Sequence, residues 1–207
     1  MVPMSSTDKG REFTTGEREI LLRIAYRSIR SGLQTRQPVA VRVDGVPARL
    51  SARRASFVTL HAGEKLRGCI GSLEPRTSLA EDVSFNAYAA AFRDARFQPL
   101  QDDELDTLSL EISVLSTPER LDFDSESSLL EVIRPGIDGL ILQEHDFRGT
   151  FLPSVWESLP DPARFLGHLK LKSGLATDYW SASIRVWRYT TESFGASVPA
   201  IRTNDRD

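Results

Sequence analysis

Leu66-Arg67-Gly68-Cys69-Ile70-Gly71 constrains this chain more than any other stretch. Read as a strand, it sends Leu66, Gly68 and Ile70 to one face and Arg67, Cys69 and Gly71 to the other. A glycine on each face leaves room for another backbone or a ligand to come close. Arg67 and Cys69 then stand roughly 7 Å apart along one face, a guanidinium beside the only thiol in the protein. Ser56-Phe57-Val58-Thr59-Leu60 reads as a second strand, and His61–Lys65 as a hairpin-sized connection between the two.

The rest of the chain supplies layers to pack on this hairpin. Thr14 with Glu17 makes a capping box, followed by an apolar stripe of Ile20, Leu21, Ile24 and Ile29 that ends near Gly32. Val39–Val43 reads as a short extended piece, and Arg49, Arg53 and Arg54 as a solvated loop. Ser78 with Glu81 opens a second helix, small-sided through Ala87-Tyr88-Ala89-Ala90-Ala91 and able to lie close against a sheet. Ser109–Val114 alternates cleanly as a strand. Beyond Pro118 come a short helix around Leu129–Ile133, a hairpin of Gly139–Leu142 with Thr150–Leu152, a helix capped by Asp161-Pro162, and a strand over Ser183–Tyr189. The order is helix, hairpin, helix, strand, then hairpin, helix, strand. It predicts an α+β fold with a mainly antiparallel sheet, the second half loosely echoing the first. Residues 14–195 are expected to form a single domain with two lobes, and 1–13 and 196–207 flexible tails.

Several function classes are excluded at this level. A net charge of −3 is no general field for nucleic acid or anionic membrane. A single cysteine permits neither an internal disulfide nor an all-cysteine metal site, and His61, His145 and His168 have no ligand-like spacing, so neither metal nor cofactor is expected. No run approaches the ~18 apolar residues of a membrane span, and the first residues carry no signal-like apolar run. A cytoplasmic setting is the default expectation.

Separated stretches match one family. They are Leu66–Gly71, Phe57-Val58-Thr59-Leu60, Ala90-Ala91-Phe92-Arg93-Asp94-Ala95-Arg96-Phe97, Glu111–Ser116, Gly149-Thr150-Phe151-Leu152-Pro153 and Lys172-Ser173-Gly174-Leu175. Together they resemble the AMMECR domain family, in its bacterial form, AmmeMemoRadiSam system protein A. The resemblance implies two similar halves sharing one antiparallel sheet with helices packed on it, and an association with a Memo-like protein and a radical-SAM protein. It assigns no reaction. Ser154 and Ser173 depart from the family's usual residues, and Lys170 stands where many members carry a second cysteine.

Two site readings follow. Arg67, Asn86, Asp94, Arg96 and Glu111 can converge with Cys69 on a cleft for a partner or a small polar or anionic ligand. Equally, Asp94–Arg96 and Arg67–Glu111 are pairs that brace the sheet. Cys69 is the catalytic candidate, a nucleophile with Arg67 lowering its pKa and clamping an anion, set against its use as a small packed residue. The leading expectation is an accessory component of a multi-protein modification system. An enzyme using Cys69 on a small anionic substrate is the alternative, and RNA binding through Lys170, Lys172, Arg185 and Arg188 comes last.

Overall fold

The computed structural model describes residues 12–204, which divide into two compact units, one running to Leu115 and resuming at Glu192, the other Ser116–Thr191. Residues 1–11 and 205–207 of the expected tails lie outside the described residues.

The first unit begins with helix α1, Thr15–Thr35, whose capping box is present as the sequence predicts. The helix runs past Gly32 and stops at Arg36 in a left-handed turn. Gly32 is interior because the Phe92 and Tyr88 rings occupy the space a Cβ would need. A short helix α2, Ala48–Ser51, falls within the stretch expected as loop and buries Leu50. The predicted hairpin follows as β1, Ser56–Ala62, and β2, Lys65–Gly71; then come helix α3, Leu79–Phe92, and strand β3, Leu108–Leu115.

Strand β8, Thr191–Ser197, and helix α6, Val198–Asn204, return to this unit and were not legible in the sequence. Where a tail is expected from 196 onward, Val198 and Ile201 are buried against the core. The sheet order is β2-β1-β3-β8. Its apolar face, Val58, Leu60, Leu110 and Ile112, packs with Leu21, Ala25 and Ile29 of α1 and Val83, Ala87 and Ala90 of α3. Gly68 allows the closest contact, since a Cβ there would lie 2.1 Å from the Ala90 carbonyl oxygen.

The second unit carries β4, Glu119–Arg120, helix α4, Glu126–Val132, the hairpin β5, Gly139–Glu144, and β6, Phe147–Phe151, helix α5, Pro162–Lys172, and β7, Arg185–Tyr189. Its sheet has the order β4-β7-β5-β6. The α+β, antiparallel character holds, but the strands form two four-stranded sheets and not one shared sheet. Each unit closes its own hydrophobic core, and a strand can serve only one sheet at a time.

Lys170 is fully buried in the second unit. Its ammonium donates to Glu126 Oε1 at 2.8 Å and to the Thr177 carbonyl at 3.1 Å, beside the Trp180 ring. It ties α5 to α4 and to the following loop, which removes it from any RNA-facing role. No helix among the described residues is long and apolar enough to cross a membrane.

Candidate functional site

The β1–β2 hairpin places the thiol. Thr59 of β1 sits opposite Cys69 of β2 and, on its other side, opposite Glu111 of β3. These residues form one row across the sheet, on the face turned away from the core. Thr59 Oγ1 lies 3.3 Å from Cys69 Sγ, the close approach of a pair that exchanges no backbone hydrogen bonds. Cys69 is half-buried. The Glu111 side chain is exposed and forms no ion pair or hydrogen bond with any described residue. His61 follows two positions after Thr59 on the same face of β1, opposite Ser109.

β2 is an edge strand, so the backbone of Cys69 points outward and needs partners. Its N–H donates to Asp94 Oδ2 at 2.9 Å, and its carbonyl accepts from Arg96 Nη2 at 3.3 Å. Asp94 and Arg96 also hold each other, Arg96 Nε to Oδ1 at 2.9 Å and Nη2 to Oδ2 at 2.7 Å. The Asp94 side chain is 5% exposed and that of Arg96 57%. The Arg96 guanidinium holds the Asp94 carboxyl far below the ordinary carboxylate range, against the upward pull of burial. Arg96 is raised in return, mainly by the same hydrogen bonds.

Arg67 is turned away from the thiol, contrary to strict alternation. Leu60 pairs with Gly68 and His61 with Leu66, so Arg67 is the extra residue of a β-bulge. Its guanidinium forks onto Glu104, Nε to Oε1 at 2.7 Å and Nη2 to Oε2 at 3.0 Å, and donates to the Gln98 carbonyl at 2.9 Å. Those bonds raise the Arg67 pKa and lower that of Glu104. The pairing partner is thus Glu104 and not Glu111, and the anion-clamp role loses its free cation.

Asn86 also stands elsewhere. It is buried on α3, donating to the Ser56 carbonyl at 3.0 Å and to Asp82 Oδ2 at 2.8 Å. Asp82 further accepts from the Ser56 N–H, Ser56 Oγ and Ser72 Oγ. Burial pushes the Asp82 carboxyl up, only partly countered by these donors. This network fastens the start of β1 and the residue after β2 to α3; it is structural.

Asp94 and Arg96 are therefore brought to Cys69, and Glu111 shares its row across Thr59, while Arg67 is aimed aside and Asn86 is excluded. Thr59, missed by the sequence reading, is the centre of the row. An antiparallel register drawn from the Ala62–Lys65 turn pairs Thr59 with Cys69 only after the bulge residue is counted. The first unit also holds cavities of about 570, 310 and 290 Å³, and none is lined by any of the six predicted site residues. The row is a surface of the sheet and not one of these hollows.

Comparisons with known proteins match the chain to one family. The family model described as AMMECR1 matches residues 22–194. A protein from Thermofilum pendens is 36% identical over 199 residues, covering 88% of this chain and 91% of its own length. Protein MK0488 of Methanopyrus kandleri is 33% identical, covering 96% of this chain and 97% of its own. The crystal structure of the uncharacterized protein PH0010 from Pyrococcus horikoshii has a TM-score of 0.79 and 32% identity, covering 91% of this chain and 95% of that one.

Proposed function

Because this chain belongs to the AMMECR1 family, we propose that it is an accessory component of a system with Memo-like and radical-SAM proteins. Within that system the Cys69–Thr59–Glu111 row engages a partner or a small polar ligand. The observation that carries this reading is the uncommitted Glu111 carboxylate, one strand across Thr59 from a half-buried thiol on the coreless face of the sheet. Arg67 and Arg96 each already hold a carboxylate. The unspent charge of the row is therefore negative, and an ammonium or guanidinium group of the partner or ligand is its match.

The clamp by Asp94 and Arg96 gives this surface its rigidity. Both hydrogen-bonding groups of Cys69 on the open edge are occupied, so the sulfur's position is set by the backbone as well as by Thr59. The test is purification of the tagged chain from its native host, alongside a Glu111→Lys variant. The wild type is expected to carry a Memo-like or radical-SAM protein, or a bound amine, and the variant to lose it. Recovery of none of these removes the reading.

The Thr59–Cys69 contact supports a second reading, a nucleophilic Cys69. It requires rapid alkylation of the native protein at neutral pH. Labelling that begins only on unfolding eliminates it.

A further inference from the structure

The cavity of about 570 Å³ is walled by α1, the 3₁₀ helix Asp102–Thr107 and α6, and no residue of the Cys69 row lines it. The α1 wall presents Tyr26, Arg30 and Leu33, which the helical repeat sets on one face. Tyr26 is 3% exposed and belongs to the core. Its hydroxyl has no hydrogen-bond partner among the described residues, yet it is not one of the sealed unpaired atoms, so it opens to the cavity. An unpaired polar atom at so buried a position carries a free-energy cost that a ligand group can relieve.

The charges around this hydroxyl sort into one spent pair and one unspent pair. Arg202 of α6 sets Nη1 on both oxygens of Asp106, each at 2.9 Å, and those two charges answer each other. Arg30 and Asp102 are left over, a cation on the α1 wall and an anion on the 3₁₀ wall. Neither side chain forms an ion pair or hydrogen bond with any described residue, the other included. The acidic wall is itself held in place, since Glu104 of the same 3₁₀ helix accepts from Arg67 Nε at 2.7 Å. Leu33 and Leu105 add aliphatic surface to the lining.

We propose that this cavity binds a small zwitterion of the amino-acid or short-peptide class. Its carboxylate takes Arg30 and, one helical turn away, the Tyr26 hydroxyl; its ammonium takes Asp102; its aliphatic side chain lies on Leu33 and Leu105. A ligand with a single charge would pair with one wall and be repelled by the other.

The experiment is isothermal titration calorimetry of the full chain with leucine and with leucyl-leucine. The controls are isocaproate and isoamylamine, which keep the leucine skeleton but lack the ammonium or the carboxylate. At least one zwitterion is expected to bind saturably in the millimolar range or below, and the tighter of the two tells amino acid from peptide. Each control is expected to bind at least about tenfold more weakly. Arg30→Gln and Asp102→Asn are each expected to lose about tenfold in affinity for the zwitterion, and Tyr26→Phe, which keeps the buried ring, about threefold. Circular dichroism checks that the three variants are folded. No saturation by either zwitterion at tens of millimolar, a control that binds as tightly, or unchanged affinity in Arg30→Gln and Asp102→Asn overturns the proposal.

Discussion

The two units solve the same topological problem with different side chains. In the first, the hairpin β1–β2 is followed by α3 and then β3, which pairs with β1; in the second, β5–β6 is followed by α5 and then β7, which pairs with β5. In register, Leu60↔Gly68 corresponds to Leu142↔Gly149. Both glycines face the end of the following helix, Gly68 against Ala90 and Gly149 against Ser173. One position further on, the row Cys69–Thr59–Glu111 corresponds to Thr150–Ile141–Trp187. The second row holds no thiol and no charge, and the Thr150 hydroxyl is spent on the Leu140 carbonyl. The same backbone thus carries a row with an unpaired carboxylate in one unit and an uncharged row in the other, so the scaffold does not imply the site.

The glycines give the sharpest way to break this correspondence. Gly68→Ala sets a Cβ against backbone, the Ala90 carbonyl at 2.1 Å, and is expected to cost about 3 kcal/mol in urea unfolding. Gly149→Ala meets first the Ser173 hydroxyl, which can rotate at the expense of its bond to the Leu169 carbonyl, so about 1.5 kcal/mol is expected. Equal costs would mean the two hairpins do not use their glycines alike.

Two carboxylates of the first unit, each residue 7% exposed, sharpen the contrast between support and site. Asp82 meets only hydroxyl, amide and backbone donors and is raised by burial; Asp94 meets a guanidinium and is lowered. Asp94→Asn is expected to cost about 1.5 kcal/mol at pH 7. Because its carboxyl is depressed in the folded state, its stabilisation is full above the ordinary aspartate value near ~3.9 and is lost as pH falls below it. The acid limb of the stability curve should therefore be shallower in this variant. Asp82 works in the opposite direction, favouring the folded state at low pH and losing that benefit as pH rises through its raised value, so Asp82→Asn should not flatten the acid limb. Melting temperatures across pH 2–7 check both (~2–7 being the carboxylate titration range).

The smallest stability effect belongs to the row itself. Glu111→Gln touches no described partner, and its unfolding free energy is expected to stay within about 0.5 kcal/mol of wild type. A larger loss in thermal or urea unfolding would mean that Glu111 braces the sheet, as Asp82 does, and would withdraw it from the candidate site.

Local pattern made much of the fold legible. Both capping boxes, the alternation of β3, and the Asp161-Pro162 helix start are decided by residues within a few positions of one another. β8 was hidden because Thr191–Ser197 offers Phe194 as its only large apolar residue, and it is a strand by virtue of lying beside β3 at the sheet edge. α6 owes its burial to the α1 side of the same core. Cys69, Asp94, Arg96 and Glu111 were named from sequence, but the reason Asp94 and Arg96 meet Cys69 was not available there.

What the residues determine alone is the inventory: one thiol, glycines where backbones must touch, helices with capped starts, and an alternating strand at Glu111. Tertiary structure decided the assignments. A single bulge residue turned Arg67 toward Glu104 and brought Thr59 opposite Cys69, and side-chain pairing set each guanidinium group on a carboxylate of the chain itself. The physical reason is that strand periodicity is two. One inserted residue exchanges the faces of everything beyond it, and only the partner strand and the packed helix determine where that residue is absorbed.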